Sequence, residues 1–239
     1  MKEVRYFYVP EASQRDELPQ DEAVHAIRVL RLQPGDNIFL MDGAGTFYDA
    51  EISLVTNKKC MYSVRNVLPQ RKTWSGHIHL AIAPTKMMER MEWLVEKATE
   101  IGFDEITFLS CRFSEREKLR SDRLEKIVVS AVKQSRKAWK PIVNDMVDIS
   151  SFLHAPRSGR KYICHCYEEI EKILYFNDIQ KYKAEDITVL IGPEGDFSIQ
   201  EVREAIDCGF LSVSLGESRL RTETAGLLAV AMTNIIKSL

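Results

Sequence analysis

From His77 onward the apolar residues keep switching period, and this constrains the fold more than any other feature of the chain. Ile78-His-Leu-Ala-Ile-Ala83 reads as a strand. Over Lys86–Ile101, apolar residues at Met87, Met88, Met91, Leu94, Val95, Ala98 and Ile101 follow the 3.6-residue period of a helix, which Gly102 can close. Glu105-Ile-Thr-Phe-Leu109 is a second strand, and Asp122–Ala138 a helix with Leu124, Ile127, Val128, Ala131 and Val132 on one face. Tyr162-Ile-Cys-His-Cys166 is a third strand, followed by a short helix to about Tyr175. Ile187-Thr-Val-Leu-Ile191 is apolar enough to be buried on both faces. Ser198–Cys208 is a helix opened by the capping box Ser198-x-x-Glu201. Leu211-Ser-Val-Ser-Leu215 and a helix over Glu223–Lys237 complete the set. Repeated strand–helix alternation predicts an α/β domain with a mostly parallel sheet.

The first 70 residues have a different texture. Arg5–Val9, Asn37–Met41, Thr46–Val55 and Cys60–Val64 are strand-like, and Asp42-Gly-Ala-Gly45 is a hairpin turn between two of them. One helix interrupts them, with Pro19 in its first turn and Ala23, Ala26, Ile27 and Leu30 as its apolar positions. Short strands with tight turns predict a small β-barrel. Pro69–Gly76 is polar and reads as a linker, so the expected division is 1–70 and 71–239.

Composition narrows the functional classes. The longest apolar run, Leu227–Met232, has six residues, far short of the roughly 18 of a membrane span. Met1-Lys-Glu-Val-Arg5 carries both charges where a signal peptide needs apolar residues. Five cysteines over 239 residues make no disulfide framework, which points to a reducing cytoplasm. The net charge is only −2, yet Arg112–Lys140 holds ten basic residues against four acids. A basic stretch in an acidic protein either attracts a polyanion or is a solvated helix face.

In open parallel sheets, ligands bind beyond the carboxyl ends of the strands. Three such ends stand out: Cys164-His-Cys-Tyr-Glu168, Gly192-Pro-Glu-Gly-Asp-Phe-Ser198 and Leu215-Gly-Glu-Ser-Arg-Leu-Arg-Thr-Glu-Thr-Ala225. The glycine loop is neither a dinucleotide fingerprint nor a P-loop. Cys164-x-Cys166 with His165 invites a zinc reading, but Cys60, Cys111 and Cys208 are isolated, and buried strand cysteines are preferred. His25, His77, His79 and His154 are scattered and read as structural or exposed, and no Gly-x-Ser-x-Gly elbow is present. Lys133-Gln-Ser-Arg-Lys-Ala-Trp-Lys140 combines four cations with an aromatic, which suits phosphates and a stacked base as well as a helix C-terminus. Arg28 and Arg31, three apart, are expected on one helix face, where they can clamp a polyanion.

Taken together, His25–Arg31, Lys86 through Met91-Glu92 to Gly102, Val132–Arg136 followed by Pro141, Ile191–Gly195 with Glu201, and Leu215–Ala225 resemble the RsmE family of ribosomal RNA uracil-N3 methyltransferases. The resemblance covers nearly the whole chain. It implies an N-terminal PUA-like barrel for RNA and a C-terminal SPOUT domain whose parallel sheet carries a trefoil knot and helices on both faces. It also implies S-adenosylmethionine as methyl donor, a homodimer, no metal, and a uridine of 16S rRNA in the small ribosomal subunit as substrate. The donor is expected on Leu190, Ile191, Gly192, Gly195, Leu215, Gly216, Leu220, Thr222 and Thr224, with adenine in an apolar slot between the loops. Arg219 and Arg221 are candidates for holding charge on the uracil. Glu223 is the candidate base, with Glu194 second. Arg28, Arg31, Arg136, Lys137 and Lys140 are the candidate RNA contacts. Two positions depart from the family pattern: Asp196 stands where Gly-Pro-Glu-Gly-Gly has its last glycine, and Lys133 where an acid is common. The alternatives are a non-catalytic RNA-binding assembly factor, a nucleotide-binding enzyme, and methylation at another base or ribose position.

Overall fold

The structure, a computed structural model, describes residues 5–239. They form two compact units. One runs to Lys72 and takes in Val129–Lys140; the other comprises Thr73–Val128 and Pro141–Leu239.

The first unit is built on four strands, β1 (Tyr6–Tyr8), β2 (Asn37–Met41), β3 (Thr46–Val55) and β4 (Cys60–Pro69), in that spatial order. β1 runs parallel to β2, and the other pairs are antiparallel. Asp16–Leu18 lies along β4 through Tyr62 N–H to Asp16 O and Leu18 N–H to Cys60 O. Period-two alternation sends Ile38, Leu40, Tyr48, Ala50, Ile52, Cys60 and Tyr62 inward, where they meet Phe7, Leu18, Ala23 and Ala26. Each fully buried large side chain contributes about 1.5–3 kcal/mol. The helix expected here is short: α1 (Gln20–Val24) passes into a π-helical turn, His25–Val29. Arg31 lies beyond that turn at φ 51°, so it does not share a helix face with Arg28.

The second unit is a seven-stranded, all-parallel sheet in the order β7-β6-β5-β10-β8-β11-β9. The five strands expected from the sequence are β5 (Ile78–Ile82), β6 (Glu105–Ser110), β8 (Arg160–Cys164), β10 (Ile187–Ile191) and β11 (Leu211–Ser214). The two unforeseen strands, β7 (Ile142–Asp148) and β9 (Ile173–Leu174), are the sheet's edges. No helix runs from Cys166 to Tyr175. That segment turns into β9 and then α5 (Tyr175–Ile179). The central strands β5 and β10 are buried along their whole length, as strands covered on both faces must be.

β5 shows how the two faces are filled. Ala81 and Ala83 join a core with Phe152 of α4 (Ile149–His154) and Val202 and Ala205 of α6 (Ile199–Asp207). Leu80 and Ile82 point the other way, toward Gly226 of α7 (Thr222–Ser238) and Leu94 of α2 (Met88–Ile101). The capping box is formed: Glu201 N–H donates to Ser198 Oγ, and Ser198 N–H to Glu201 Oε2. A polar cluster lies where β5, β6 and β7 run side by side. His77 Nε2 is 2.9 Å from Glu105 Oε2, His79 Nε2 is 2.8 Å from Thr107 Oγ1, and Asn144 donates to Glu105. The linker ends firmly at Trp74, which is buried and donates to Asp104 at 2.9 Å.

α3 (Ser121–Ser135) ends three residues earlier than expected, because Arg136 adopts φ 53° and leaves the helix. Among the described residues, no helix is long and apolar enough to cross a membrane.

Candidate active site

β11 lies beyond β8, whereas α7 packs on β5 and β10. The segment between β11 and α7 therefore crosses back over the carboxyl ends of β8 and β10. A cavity of about 900 Å³ opens there, walled by the ends of those three strands, the loops that leave them, and Arg90 of α2.

Hydrogen bonds hold the walls. The turn after β10 closes with Asp196 N–H on Pro193 O at 2.9 Å, and Asp196 sits at φ 66°. The Asp196 carboxylate accepts from Cys166 N–H and from Phe197 N–H, both at 2.8 Å. Tyr167 OH donates to Phe197 O, and Lys172 Nζ to Tyr167 O. Glu194 Oε1 accepts from Lys86 N–H at 3.0 Å, and Glu201 Oε1 from Arg112 N–H at 2.7 Å. After β11, Gly216 N–H donates to Ser214 Oγ, which in turn donates to Gly216 O. Gly216 has φ 136° with open space where a Cβ would stand, so the backbone conformation, rather than crowding, requires glycine.

The wall carries both polarities. Ile191, Pro193, Val213, Leu215, Leu220 and Ala225 form its apolar part. Arg90, Lys172, Arg219 and Arg221, with Glu168, Glu194, Asp196 and Glu217, supply its charges. His165 is 7% exposed, and neither ring nitrogen has a hydrogen-bond partner. Burial, and then the Lys172 charge, lower its pKa. Cys164 is half-buried at the end of β8 and Cys166 is exposed past it, so the expectation of two buried strand cysteines is met in part by Cys164 and fails for Cys166. Among the described residues, no group of three or more His, Cys, Asp and Glu could hold a metal ion.

Of the residues named from the sequence as donor or catalytic candidates, Ile191, Gly192, Glu194, Leu215, Gly216, Arg219, Leu220, Arg221 and Thr222 line the cavity. Leu190 faces the α4/α6 core, Gly195 lies against Phe113, and Thr224 is exposed on α7. Glu223 is buried beside Arg90, its Oε1 3.7 Å from Arg90 Nε and its Oε2 without a partner. Arg90, His165, Lys172 and Asp196 were not picked out from the sequence as site residues. The strand end holding His165 was visible there, but nothing local marked Arg90.

The basic candidates belong to the first unit. Arg28 and Arg31 are exposed. The Arg136 guanidinium lies 5.2 Å from the centre of the Tyr6 ring. Lys140 N–H donates to Gly43 O, and Trp139 bridges to Ala44, so Arg136–Lys140 is strapped to the β2–β3 hairpin. Lys137 is partly buried, which lowers its pKa. Lys133 pairs with both oxygens of Glu22 at 2.7 Å, which takes its charge out of the basic surface.

Comparison with known proteins bears on this arrangement. Residues 72–234 match the family model of the RNA methyltransferase domain, and residues 18–60 that of the RNA methyltransferase PUA domain. The chain is 28% identical over 224 residues to the ribosomal RNA small subunit methyltransferase E of Rickettsia conorii, covering 93% of this chain and 90% of that protein. A probable rRNA-methyltransferase from Porphyromonas gingivalis superimposes with a TM-score of 0.90 at 44% identity over 98% of each chain. The ribosomal RNA small subunit methyltransferase E from Neisseria gonorrhoeae, solved bound to S-adenosyl methionine, gives 0.83 at 28% identity over 96% of each chain. The expected fold class, a parallel α/β sheet covered on both faces with a PUA-like N-terminal domain, is the one found. The chain belongs to the RNA methyltransferase domain family, in its ribosomal RNA small subunit methyltransferase E (RsmE) group.

Proposed function

We propose that this protein methylates N3 of a uridine in 16S rRNA of the small ribosomal subunit, with S-adenosylmethionine as donor. The cavity over the ends of β8, β10 and β11 carries this reading. Its volume is that of a small-molecule site. The apolar strip from Ile191 to Val213 and Leu220 suits the face of an adenine, and the two-signed rim suits an amino-acid zwitterion. Orphaned polar atoms on or beside the wall, at His165 and Glu223, suit a polar ligand. The residues therefore fit the donor, which would be held by Ile191, Gly192, Leu215, Gly216, Leu220 and Thr222.

When bound, S-adenosylmethionine supplies a methyl group already activated on a sulfonium. Methylation at N3 requires loss of the N3 proton, and the charge left behind spreads over O2, N3 and O4. Arg219 and Arg221, both on the cavity wall, hold that charge. A carboxylate takes the proton. Glu223 and Glu194 are the two candidates, and Glu194 is the one that lines the cavity. The crossing segment from Leu215 to Arg221 excludes water from the reacting atoms.

Residues 1–70 serve as the RNA-binding domain and 71–239 as the methyltransferase domain. Arg28, Arg31, Arg136, Lys137 and Lys140 contact phosphates. The protein acts as a cytoplasmic homodimer. Met87, Trp93 and Ile235, exposed on or beside the packed helices α2 and α7, support a self-association surface. The test is mass spectrometry of rRNA nucleosides from a deletion strain, with add-back of purified enzyme and labelled donor. Loss of 3-methyluridine and its restoration are expected. Unchanged 3-methyluridine, or label on another atom, overturns the assignment. In add-back, Glu194→Gln and Glu223→Gln separate the two bases: the variant that loses turnover while still binding donor identifies the proton acceptor.

A further inference from the structure

His165 is the least explained residue of the cavity. It follows the last residue of β8, the strand that lies between β10 and β11. It is thus flanked by the Gly192–Asp196 loop on one side and the Ser214–Arg221 loop on the other, and all three contribute to one wall. Its imidazole is shut off from bulk solvent, yet neither nitrogen meets a donor or acceptor. Buried polar side chains in native proteins almost always have a partner, so an imidazole without a protein partner on a cavity wall is a group that water or a ligand must satisfy.

The neighbouring bonds keep this residue where it is. Cys166 N–H, next in the chain, is held by Asp196, and the Tyr167 hydroxyl is held by Phe197 O. The Tyr167 ring centre lies 5.9 Å from that of His165. The imidazole therefore sits between the end of β8 and a segment pinned to the loop after β10, as a group that orients a ligand must. Burial and the Lys172 charge favour its neutral form, which has one N–H donor and one bare nitrogen acceptor. The N–H can donate to a hydroxyl or an adenine ring nitrogen, and the bare nitrogen can accept from a hydroxyl or the exocyclic amine. A carboxylate would find its partners in the arginines instead.

We propose that His165 is a positioning residue that hydrogen-bonds the nucleoside half of the methyl donor, at its ribose hydroxyls or adenine edge. This rests on the donor site described above and adds a side-chain contact from the cavity wall.

The test uses calorimetry with two probes: S-adenosylhomocysteine, and 5′-methylthioadenosine, which lacks the amino-acid half. His165→Phe, similar in shape but without hydrogen bonds, should weaken both by about ten-fold, the worth of one buried hydrogen bond. His165→Gln should recover part of the loss. Equal affinity of wild type and His165→Phe overturns the proposal, as does a loss confined to S-adenosylhomocysteine. In the wild-type protein, ¹⁵N spectra of the His165 ring should shift on adding 5′-methylthioadenosine. An unmoved ring signal under saturation overturns the contact even if the variants fold poorly. Failure of the wild type to bind either probe refutes the donor site itself rather than the role of His165.

Discussion

Replacing Asp196 by alanine should unclasp the cavity wall at a cost that can be worked from the structure. The carboxylate accepts two backbone N–H groups at 2.8 Å, from Cys166 and from Phe197. A hydrogen bond to a charged group contributes about 1.5–3 kcal/mol when sheltered. The Phe197 amide is partly buried and loses most of that, while the Cys166 amide is exposed and recovers much of its share from water. The two together come to about 2 kcal/mol. Asp196 also stands at φ 66°, a region that aspartate enters more readily than alanine, which adds roughly 0.5–1 kcal/mol. The total, about 2.5–3 kcal/mol, corresponds to a fall in Tm of about 5–10 °C for a unit of this size. Glycine removes the same hydrogen bonds but relieves the backbone, so its loss should be nearer 1–2 kcal/mol. Asparagine keeps an acceptor and tolerates the conformation, so its loss should stay within about 1 kcal/mol. Scanning calorimetry should therefore rank the variants asparagine, glycine, alanine in falling stability. Affinity for S-adenosylhomocysteine should fall in the same order, because the bonds removed are those that join two walls of the cavity. An alanine variant as stable as the wild type would refute the clasp, and a glycine variant less stable than alanine would refute the strain argument.

Other expectations follow from different parts of the molecule. Burial lowers the pKa of His79 from 6.5 to about 4, so the unfolded chain binds the extra proton first and stability is lost as pH falls from about 6.5 toward 4. Denaturant titrations should show this loss, about 3 kcal/mol, and His79→Gln should flatten it. The hydrogen bond from His77 is the main cause holding Glu105 at about 2, against an ordinary 4.5, so its contribution is complete above about 4.5 and disappears as pH falls through 2. Glu105→Gln should remove acid sensitivity in that lower window. Arg221→Ala should abolish methyl transfer while leaving donor affinity within a few-fold, and unchanged turnover would remove Arg221 from the chemistry. Neutralising Arg136, Lys137 and Lys140 should weaken RNA binding and flatten its dependence on salt, by roughly one unit of slope for each phosphate that no longer meets a cation. Gly45→Ala would place a methyl 2.4 Å from the Trp139 ring at φ 108°, and a loss of at least about 2 kcal/mol is expected from urea unfolding.

Hydrophobic period, caps and breakers act over a few residues, and whatever depended on them was readable in advance. Ile187–Ile191 is apolar at four of its five positions and became a central strand, because only a strand covered on both faces needs such a run. Ser198 and Glu201 made their capping box, a contact internal to one helical turn. The hairpin at Asp42–Gly45 likewise needed only its local turn chemistry. β7 and β9 escaped notice because edge strands are short or polar, and their pairing is decided by the neighbour rather than by their own pattern. The end of α3 was misplaced for a related reason. Residues 136–140 have helical character by themselves, but their contacts with the β2–β3 hairpin outweigh that preference.

The site divides in the same way. Arg219, Arg221, Leu215 and Gly216 lie in one short stretch and were visible together. Arg90 and His165 come from α2 and the end of β8, and no local pattern connects them to that stretch. Lys133 looked like part of a cationic surface until folding set Glu22 against it, 111 residues away in sequence. The amino-acid order alone determined the central strands, the longer helices and where ligand loops must lie in a parallel sheet. Tertiary structure alone decided which side chains those loops confront, because that depends on the route by which the chain crosses back from β11 to α7. Contacts between distant segments carry no signature in either segment, and their energies exist only once both are packed.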